Sequence, residues 1–417
     1  MKEMLCQANS SPLTPAFLWA GIRPPPVGSS ESVAGRKMTE HMSGNVLHSF
    51  AESVTPDFVH CLLNSPMKKQ LQTKLIEKQD IKDLTSEQLI AWLAREGVAP
   101  YRAGQIQRWI HLRQVDSFDQ MTDLGKELRR RLASQFCIDR LEKIQVDGSK
   151  DGTRKYLFEL KDGNRIESVL IPEREHFTLC ISSQVGCAQG CLFCLTGKGG
   201  FERNLAVGEI LAQVRDICNE LEGPLKLTNI VLMGMGEPLA NYRNVVAALN
   251  LLTNTAAGFA FAGRRITLST AGLVPRLSGV GKETTVNLAV SLNATENRTR
   301  DRLMPINKKY PIEQLLDACR RYPLKPHRRI TFEYILIKGV NDSDEDAHRL
   351  VRLLRPVKAK VNLIPFNAYP GSEFQCPEET FIERFQQILL QKNYTVIIRR
   401  SKGSDISAAC GQLRGRV

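Results

Sequence analysis

The sequence predicts an α/β protein: a partial (β/α)6 barrel preceded by a small helical domain and a β-hairpin connector. Two observations carry this. Apolar, strand-like runs at residues 177–182, 229–233, 265–269, 286–292, 329–335 and 360–364 alternate with helical patterns such as 207–221, 242–252, 312–321 and 344–354. Six strand–helix units joined by right-handed crossovers curl into a parallel sheet. The stretch from Lys82 to Phe136 instead shows a helical pattern. In such a barrel the functional side chains belong at the carboxyl ends of the strands.

The elements follow in chain order. Residues 1–66 are rich in Ser, Pro and small polar residues without a sustained period, so they are expected to be a disordered extension, or else a mis-assigned start upstream of Met67. The helical domain spans residues 81–137. Thr85 can cap a first helix with Leu89, Ile90 and Leu93 on its apolar face, and a second helix centres on Ile106, Trp109 and Ile110. A third, at 126–136, carries Lys126, Arg129, Arg130 and Arg131, which form either a solvated face or a grip on an RNA backbone. Residues 144–172 read as a β-hairpin region, with strands at 155–160 and 165–171 around the turn signal Lys161-Asp162-Gly163-Asn164. Residues 173–417 complete the barrel and a C-terminal tail.

Composition narrows the function. A formal charge of +13 points toward a polyanionic partner, foremost nucleic acid, although on charge alone a basic but merely soluble protein fits equally. Eleven cysteines, an odd count without the spacing of a secreted scaffold, favour metal or redox chemistry in a reducing compartment. No apolar run approaches the ~18 residues needed to span a bilayer. The short run 16–22 meets Pro24, Pro25 and Pro26 without the flanks of a signal peptide, so a cytoplasmic protein is expected. With nothing resembling a coiled coil or a dimer face, a monomer is expected.

The chemistry is carried by Cys187-Ala188-Gln189-Gly190-Cys191-Leu192-Phe193-Cys194, a CxxxCxxC in the loop after the first barrel strand. Three thiolates can hold three irons of a 4Fe-4S cube and leave the fourth open. A zinc site completed by a distant ligand, or three unrelated buried cysteines, are the alternatives. This spacing and position resemble the radical S-adenosylmethionine (SAM) superfamily, in which the open iron chelates SAM. After the second strand, Gly234-Met235-Gly236-Glu237-Pro238-Leu239 lets a ligand approach the backbone at Gly236, with Glu237 available to an ammonium group, or is a plain glycine-rich turn. It resembles the element that holds the SAM amino group. Ser269, the segment Ser291-Leu292-Asn293 and Asn367 end further strands and are expected to converge on the same mouth as SAM contacts.

Two more cysteines, Cys180 in the first strand and Cys410 in Ala409-Cys410-Gly411-Gln412-Leu413, read by composition as small buried residues. Together with Val115-Asp116-Ser117-Phe118, Ser182-Ser183-Gln184-Val185-Gly186-Cys187 and Met304-Pro305-Ile306-Asn307, these segments are similar to the RlmN/Cfr family of RNA methyltransferases from about residue 82 to the C-terminus. The resemblance implies methylation of adenine at C-2 in 23S rRNA and in the anticodon loop of certain tRNAs, with C-8 as the rival position. It implies two SAM per methylation, a methylated Cys410 as carrier, a transient Cys180–Cys410 disulfide and Glu167 as proton acceptor. An electron donor such as flavodoxin and an RNA-docking role for the helical domain follow likewise. From its context alone, Glu167 reads as an unremarkable exposed strand residue. One departure is Asn293, where many members carry His; Asn keeps one of the imidazole's hydrogen bonds.

Overall fold

The computed structural model describes residues 78–415; the expectations for residues 1–66 and for a start at Met67 lie outside them. The chain opens with β1 (Gln79–Asp80), α1 (Ser86–Arg95), α2 (Arg102–His111), α3 (Lys126–Gln135) and β2 (Phe136–Cys137), with β1 and β2 paired in parallel. Thr85 caps α1 through a capping box with Gln88, which satisfies two otherwise orphaned N–H groups. The apolar faces of the three helices close on Leu89, Leu93, Ile106, Ile110 and Leu132, a core separate from that of the barrel.

Next come β3 (Glu142–Gly148), β4 (Arg154–Glu159), β5 (Arg165–Pro172), β6 (His176–Cys180) and β7 (Gln184–Gly186). The cluster-motif loop leads into α4 (Leu195–Lys198), β8 (Phe201–Asn204) and α5 (Val207–Cys218). The remainder is β9 (Lys226–Leu232), α6 (Tyr242–Thr253), β10 (Ile266–Thr270), α7 (Val274–Glu283), β11 (Asn287–Ser291), α8 (Asn297–Leu303) and α9 (Ile312–Arg320). It ends with β12 (Ile330–Leu336), α10 (Asp344–Leu354), β13 (Ala359–Pro365), α11 (Glu379–Leu390) and β14 (Val396–Ile398).

The strands β6, β9, β10, β11, β12, β13 and β14 lie side by side in that order, all parallel, as a partial barrel requires. Three features differ from the sequence reading. A seventh parallel strand, β14, extends the six expected ones; three residues are too short to show a period. The hairpin region is a three-stranded antiparallel meander, β3–β4–β5, and it continues the barrel sheet through the β5–β6 pairing. The stretch between Cys194 and the helical pattern that begins at residue 207, where the sequence reading places no element, contains α4 and β8, and β8 folds back onto β7.

The helical segment is tied to α5 by a buried polar network. The fully buried Arg215 donates to the Val115 carbonyl at 2.8 Å and pairs with Asp116, while Asp216 accepts from the Leu141 N–H at 2.8 Å. The Gly208 N–H donates to Asp83 at 2.6 Å. Among the described residues no helix is long and apolar enough to cross a membrane.

Candidate active site

The parallel strands bring their carboxyl ends to one edge of the sheet. A cavity of about 150 Å3 opens there, lined by Cys187, Cys191, Cys194, Gly236, Glu237, Ser269, Ser291, Glu333 and Cys410 among others. Residues that the sequence scatters over more than two hundred positions thus share one mouth.

Backbone geometry shapes the cysteine loop. Gly186 has φ +72°, and a Cβ there would stand 2.1 Å from the Gly200 carbonyl oxygen, so only glycine lets β7 and β8 close. The Cys187 N–H then donates to the Gly200 carbonyl at 2.6 Å, and the Leu192 N–H to the Leu303 carbonyl at 3.0 Å. Phe193 packs into a small apolar cluster with Leu303, Met304, Phe366, Tyr369 and Phe374, which supports the loop from below. Burial pushes the Cys187 thiol up to about 12, with the Glu237 and Cys194 charges adding to it, and burial raises Cys191 as well. Loading iron therefore has to drive proton release. Among the described residues no three His, Cys, Asp or Glu side chains converge on a point that a single ion could occupy. Three soft thiols spread round a cavity suit a multi-iron cluster better than mononuclear zinc.

Gly236, at φ +100°, sits against Gln184, whose Cβ would be 2.5 Å from any side chain added there. Gln184 in turn accepts from the Glu237 N–H at 2.7 Å. The Glu237 carboxylate is buried and accepts from the Ala271 N–H (2.7 Å), the Thr270 hydroxyl (2.8 Å) and the Leu239 N–H (3.0 Å). Three of its roughly four acceptor positions are therefore held by the protein. Burial raises its pKa against these three bonds.

Ser269 donates to Glu333 at 2.8 Å, and Ser291 lines the cavity. Leu292 and Asn293 are not among the lining residues. Leu292 spends its N–H on the Glu333 carbonyl and its carbonyl on Arg300. Asn293, in the left-handed region at φ +56°, accepts from the Ile335 N–H at 2.9 Å and donates to Met304 Sδ at 3.3 Å. Asn367 donates to the Cys410 carbonyl at 3.1 Å and so pins the tail.

The tail is also stitched to the cysteine loop. The Leu195 N–H donates to the Gly411 carbonyl at 2.8 Å, and Thr196 donates to the Leu413 carbonyl at 2.6 Å. Cys180, at the end of β6, is buried; burial pushes its thiol up to about 12, and the Cys410 charge adds to this. Burial likewise raises Cys410, opposed by the Arg399 guanidinium.

Glu167 corrects an expectation. It is 2% exposed, because the tail crosses over β5 and covers it. One carboxylate oxygen accepts from the Arg414 N–H (2.6 Å) and the Gly415 N–H (3.0 Å), and the other pairs with Lys155 at 3.3 Å. Three charged residues at the site escaped the sequence reading: Arg300, Glu333 and Arg399. The signal for Glu333 was available, as a lone carboxylate in the otherwise uncharged central strand 330–336.

With this geometry in view, comparison with known proteins is decisive. The family model for the ribosomal RNA large subunit methyltransferase N-terminal domain matches residues 79–138, and that for the radical SAM superfamily matches residues 181–351. A dual-specificity RNA methyltransferase RlmN from Desulfosudis oleivorans is 60% identical over 335 residues, covering 80% of this chain and 90% of that protein. The chain belongs to the RlmN family. An RlmN from Geobacter sulfurreducens is 54% identical over 338 residues, covering 81% and 92%. The crystal structure of a radical SAM methyltransferase from Sphaerobacter thermophilus superposes with a TM-score of 0.76 at 45% identity, covering 81% of this chain and all of that one. As an RlmN-family member the protein is a radical SAM RNA methyltransferase, and its superfamily implies a 4Fe-4S cluster and SAM.

Proposed function

We propose that the protein methylates the C-2 carbon of adenine in 23S rRNA and tRNA, using Cys410 as a covalent methyl carrier, Cys180 as the resolving thiol and two SAM per methyl delivered. The observation that carries this reading is that Cys410, from the far C-terminus, lines the same cavity as Cys187, Cys191 and Cys194. These three thiolates would hold the cluster, with Gly236, Glu237, Ser269 and Ser291 beside SAM. Leu292, Asn293 and Asn367 shape that mouth through the bonds described above. When bound, the cluster and SAM would supply the radical chemistry that activates an S-methyl group.

The protein's own residues do the rest. The Cys410 thiolate is the nucleophile that accepts the first methyl group. Carried as S-methyl, this carbon is delivered to the adenine ring, which becomes tethered to Cys410. Cys180 then attacks the Cys410 sulfur, and the disulfide that forms releases the methylated base. Glu167 accepts the ring proton; its carboxylate is held by the N–H groups of Arg414 and Gly415, so withdrawal of the tail frees it. The α1–α3 segment docks RNA, supported by its basic helix, where Arg130 is exposed. An electron donor such as flavodoxin, a monomeric state and a cytoplasmic setting complete the proposal. Digestion of treated RNA and mass spectrometry against both methyladenosine standards tests it: 2-methyladenosine is expected, and 8-methyladenosine would refute the assignment of the carbon.

A further inference from the structure

Two charged side chains at the barrel mouth have no part in the reaction as set out above. Glu333 is 5% exposed. Its Oε2 accepts from Ser269 at 2.8 Å, whereas Oε1 is buried with no hydrogen-bond partner. A buried carboxylate oxygen without a hydrogen bond is costly, and such a group calls for a reason. Glu333 lines the small cavity together with Cys410. Arg399 follows β14, with its guanidinium 3.2 Å from Met233 Sδ and 3.8 Å from Glu333 Oε1, an ion pair too long to satisfy that oxygen with a hydrogen bond.

Arg399 and Cys410 also line a second, larger cavity of about 560 Å3 inside the barrel. Cys410 is therefore common to both cavities, with Arg399 toward the lumen and Glu333 toward the cysteine loop. To close a disulfide, Cys180 must come within bonding distance of Cys410, which places its thiol beside the same Glu333 and Arg399. Burial pushes its thiol up to about 12, so it enters the step protonated. A resolving nucleophile in that state needs a proton acceptor beside it.

We propose that Glu333 carries the proton of the resolving step and that Arg399 holds the resulting thiolate. This rests on the reading of Cys180 as the resolving thiol. The proton of Cys180 passes to Glu333 Oε1. The sulfur lone pair then forms the S–S bond with Cys410, while the S–CH2 bond of the tethered base breaks. Its electron pair moves onto the methylene-bearing ring as an enamine, and Glu333 returns the proton to that carbon, which becomes the methyl group. Two sulfurs are oxidised and one carbon is reduced, so no outside redox partner enters this step.

The test compares Cys180→Ala, Glu333→Gln, Arg399→Gln and Arg399→Lys, each supplied with cluster, SAM, reductant and an RNA fragment. The covalent RNA–protein adduct and the product nucleoside are both measured by mass spectrometry. Cys180→Ala reports on the underlying reading, because failure to accumulate adduct there overturns that reading and this inference with it. Given adduct in Cys180→Ala, Glu333→Gln is expected to accumulate the same adduct while product formation falls by roughly 10^2-fold. Arg399→Gln is expected to follow it, and Arg399→Lys to restore part of the rate. Loss of product without adduct, accompanied by a raised KM for SAM, would mean that Glu333 holds cofactor, and wild-type turnover would mean it is idle; either result overturns the proposal. A readout independent of the cluster is diamide oxidation of cluster-free protein. Arg399→Gln should form the Cys180–Cys410 disulfide several-fold more slowly than wild type, and equal rates would remove Arg399 from the step.

Discussion

Replacing Arg300 by Met should loosen the rim of the barrel beside the cysteine-lined cavity. The Arg300 side chain is fully buried and donates to the carbonyls of Leu292 (2.9 Å), Ala271 (2.8 Å) and Ser291 (3.1 Å) and to Asn307 Oδ1 (3.0 Å). Those carbonyls sit just beyond β10 and at the end of β11, so one guanidinium fixes the spacing of two strand ends that flank the cavity. Burial pushes its pKa down to about 10, which still leaves it charged at neutral pH. Methionine fills most of the volume but strands four acceptors, each worth about 1–3 kcal/mol if left dry. Partial relaxation and water entry reduce the sum, and removing the buried charge offsets more, giving a net loss of about 3–5 kcal/mol. At about 2 °C per kcal/mol for a domain of this size, Tm should fall by roughly 6–10 °C. Calorimetry of the cluster-free protein measures this directly, and KM for SAM should rise in parallel. A Tm within about 1 °C of wild type would refute the argument that these four bonds hold the rim.

Other outcomes follow from the same reasoning. Gly186→Ala forces a Cβ onto the Gly200 carbonyl oxygen, so iron and sulfide content after reconstitution should collapse; full loading would contradict the role given to the β7–β8 closure. His111 is driven down to about 3 by burial, with the Lys82 and Arg215 charges contributing, so the folded protein binds fewer protons than the unfolded chain between that value and about 6.5. Stability should accordingly be fully present above pH 6.5 and fall by up to about 1.4 kcal/mol per pH unit below it. Urea titrations should show that slope flattened in His111→Gln. Thr85→Ala removes the α1 cap and should cost about 1 kcal/mol in the same titrations, with no change in SAM binding. Glu167→Gln keeps the shape of the tail contact but removes the proposed proton acceptor, so product formation should fall by roughly 10^2-fold while Tm moves little. Normal turnover would remove Glu167 from the chemistry.

Much of this architecture is legible because its signals are local. The Thr85 cap, the 3.6-residue faces of α1 and α2 and the apolar strands β9 to β13 are written in consecutive residues, and the cysteine loop is a spacing pattern by itself. What escapes is set by contacts distant in sequence. β14 is only Val396–Ile398 and becomes a strand because β13 offers it a parallel edge. The burial of Glu167 depends on a tail some 250 residues later, which no window around β5 reveals. Arg300 lies in the run Asn297–Leu303, where it looks like any charged helical residue, and only the fold turns it inward onto three carbonyls. Glu333 is legible in principle, since a charge in a buried parallel strand is rare without a purpose. The placement of Leu292 and Asn293 teaches the same point. Both lie just past the end of β11, where Leu292 is tied by its backbone to Glu333 and Arg300 and Asn293 by its side chain to Ile335 and Met304, and only these partners, distant in sequence, keep them off the cavity wall.

The account stands on Cys410 as the methyl carrier, and one comparison tests that most directly. Wild-type and Cys410→Ala proteins, both reconstituted anaerobically, are given SAM, a reductant and an RNA fragment, and the nucleosides are read by mass spectrometry. The account predicts 2-methyladenosine from the wild type alone, with cluster content equal in the two proteins. Methylated adenosine formed by Cys410→Ala would contradict it.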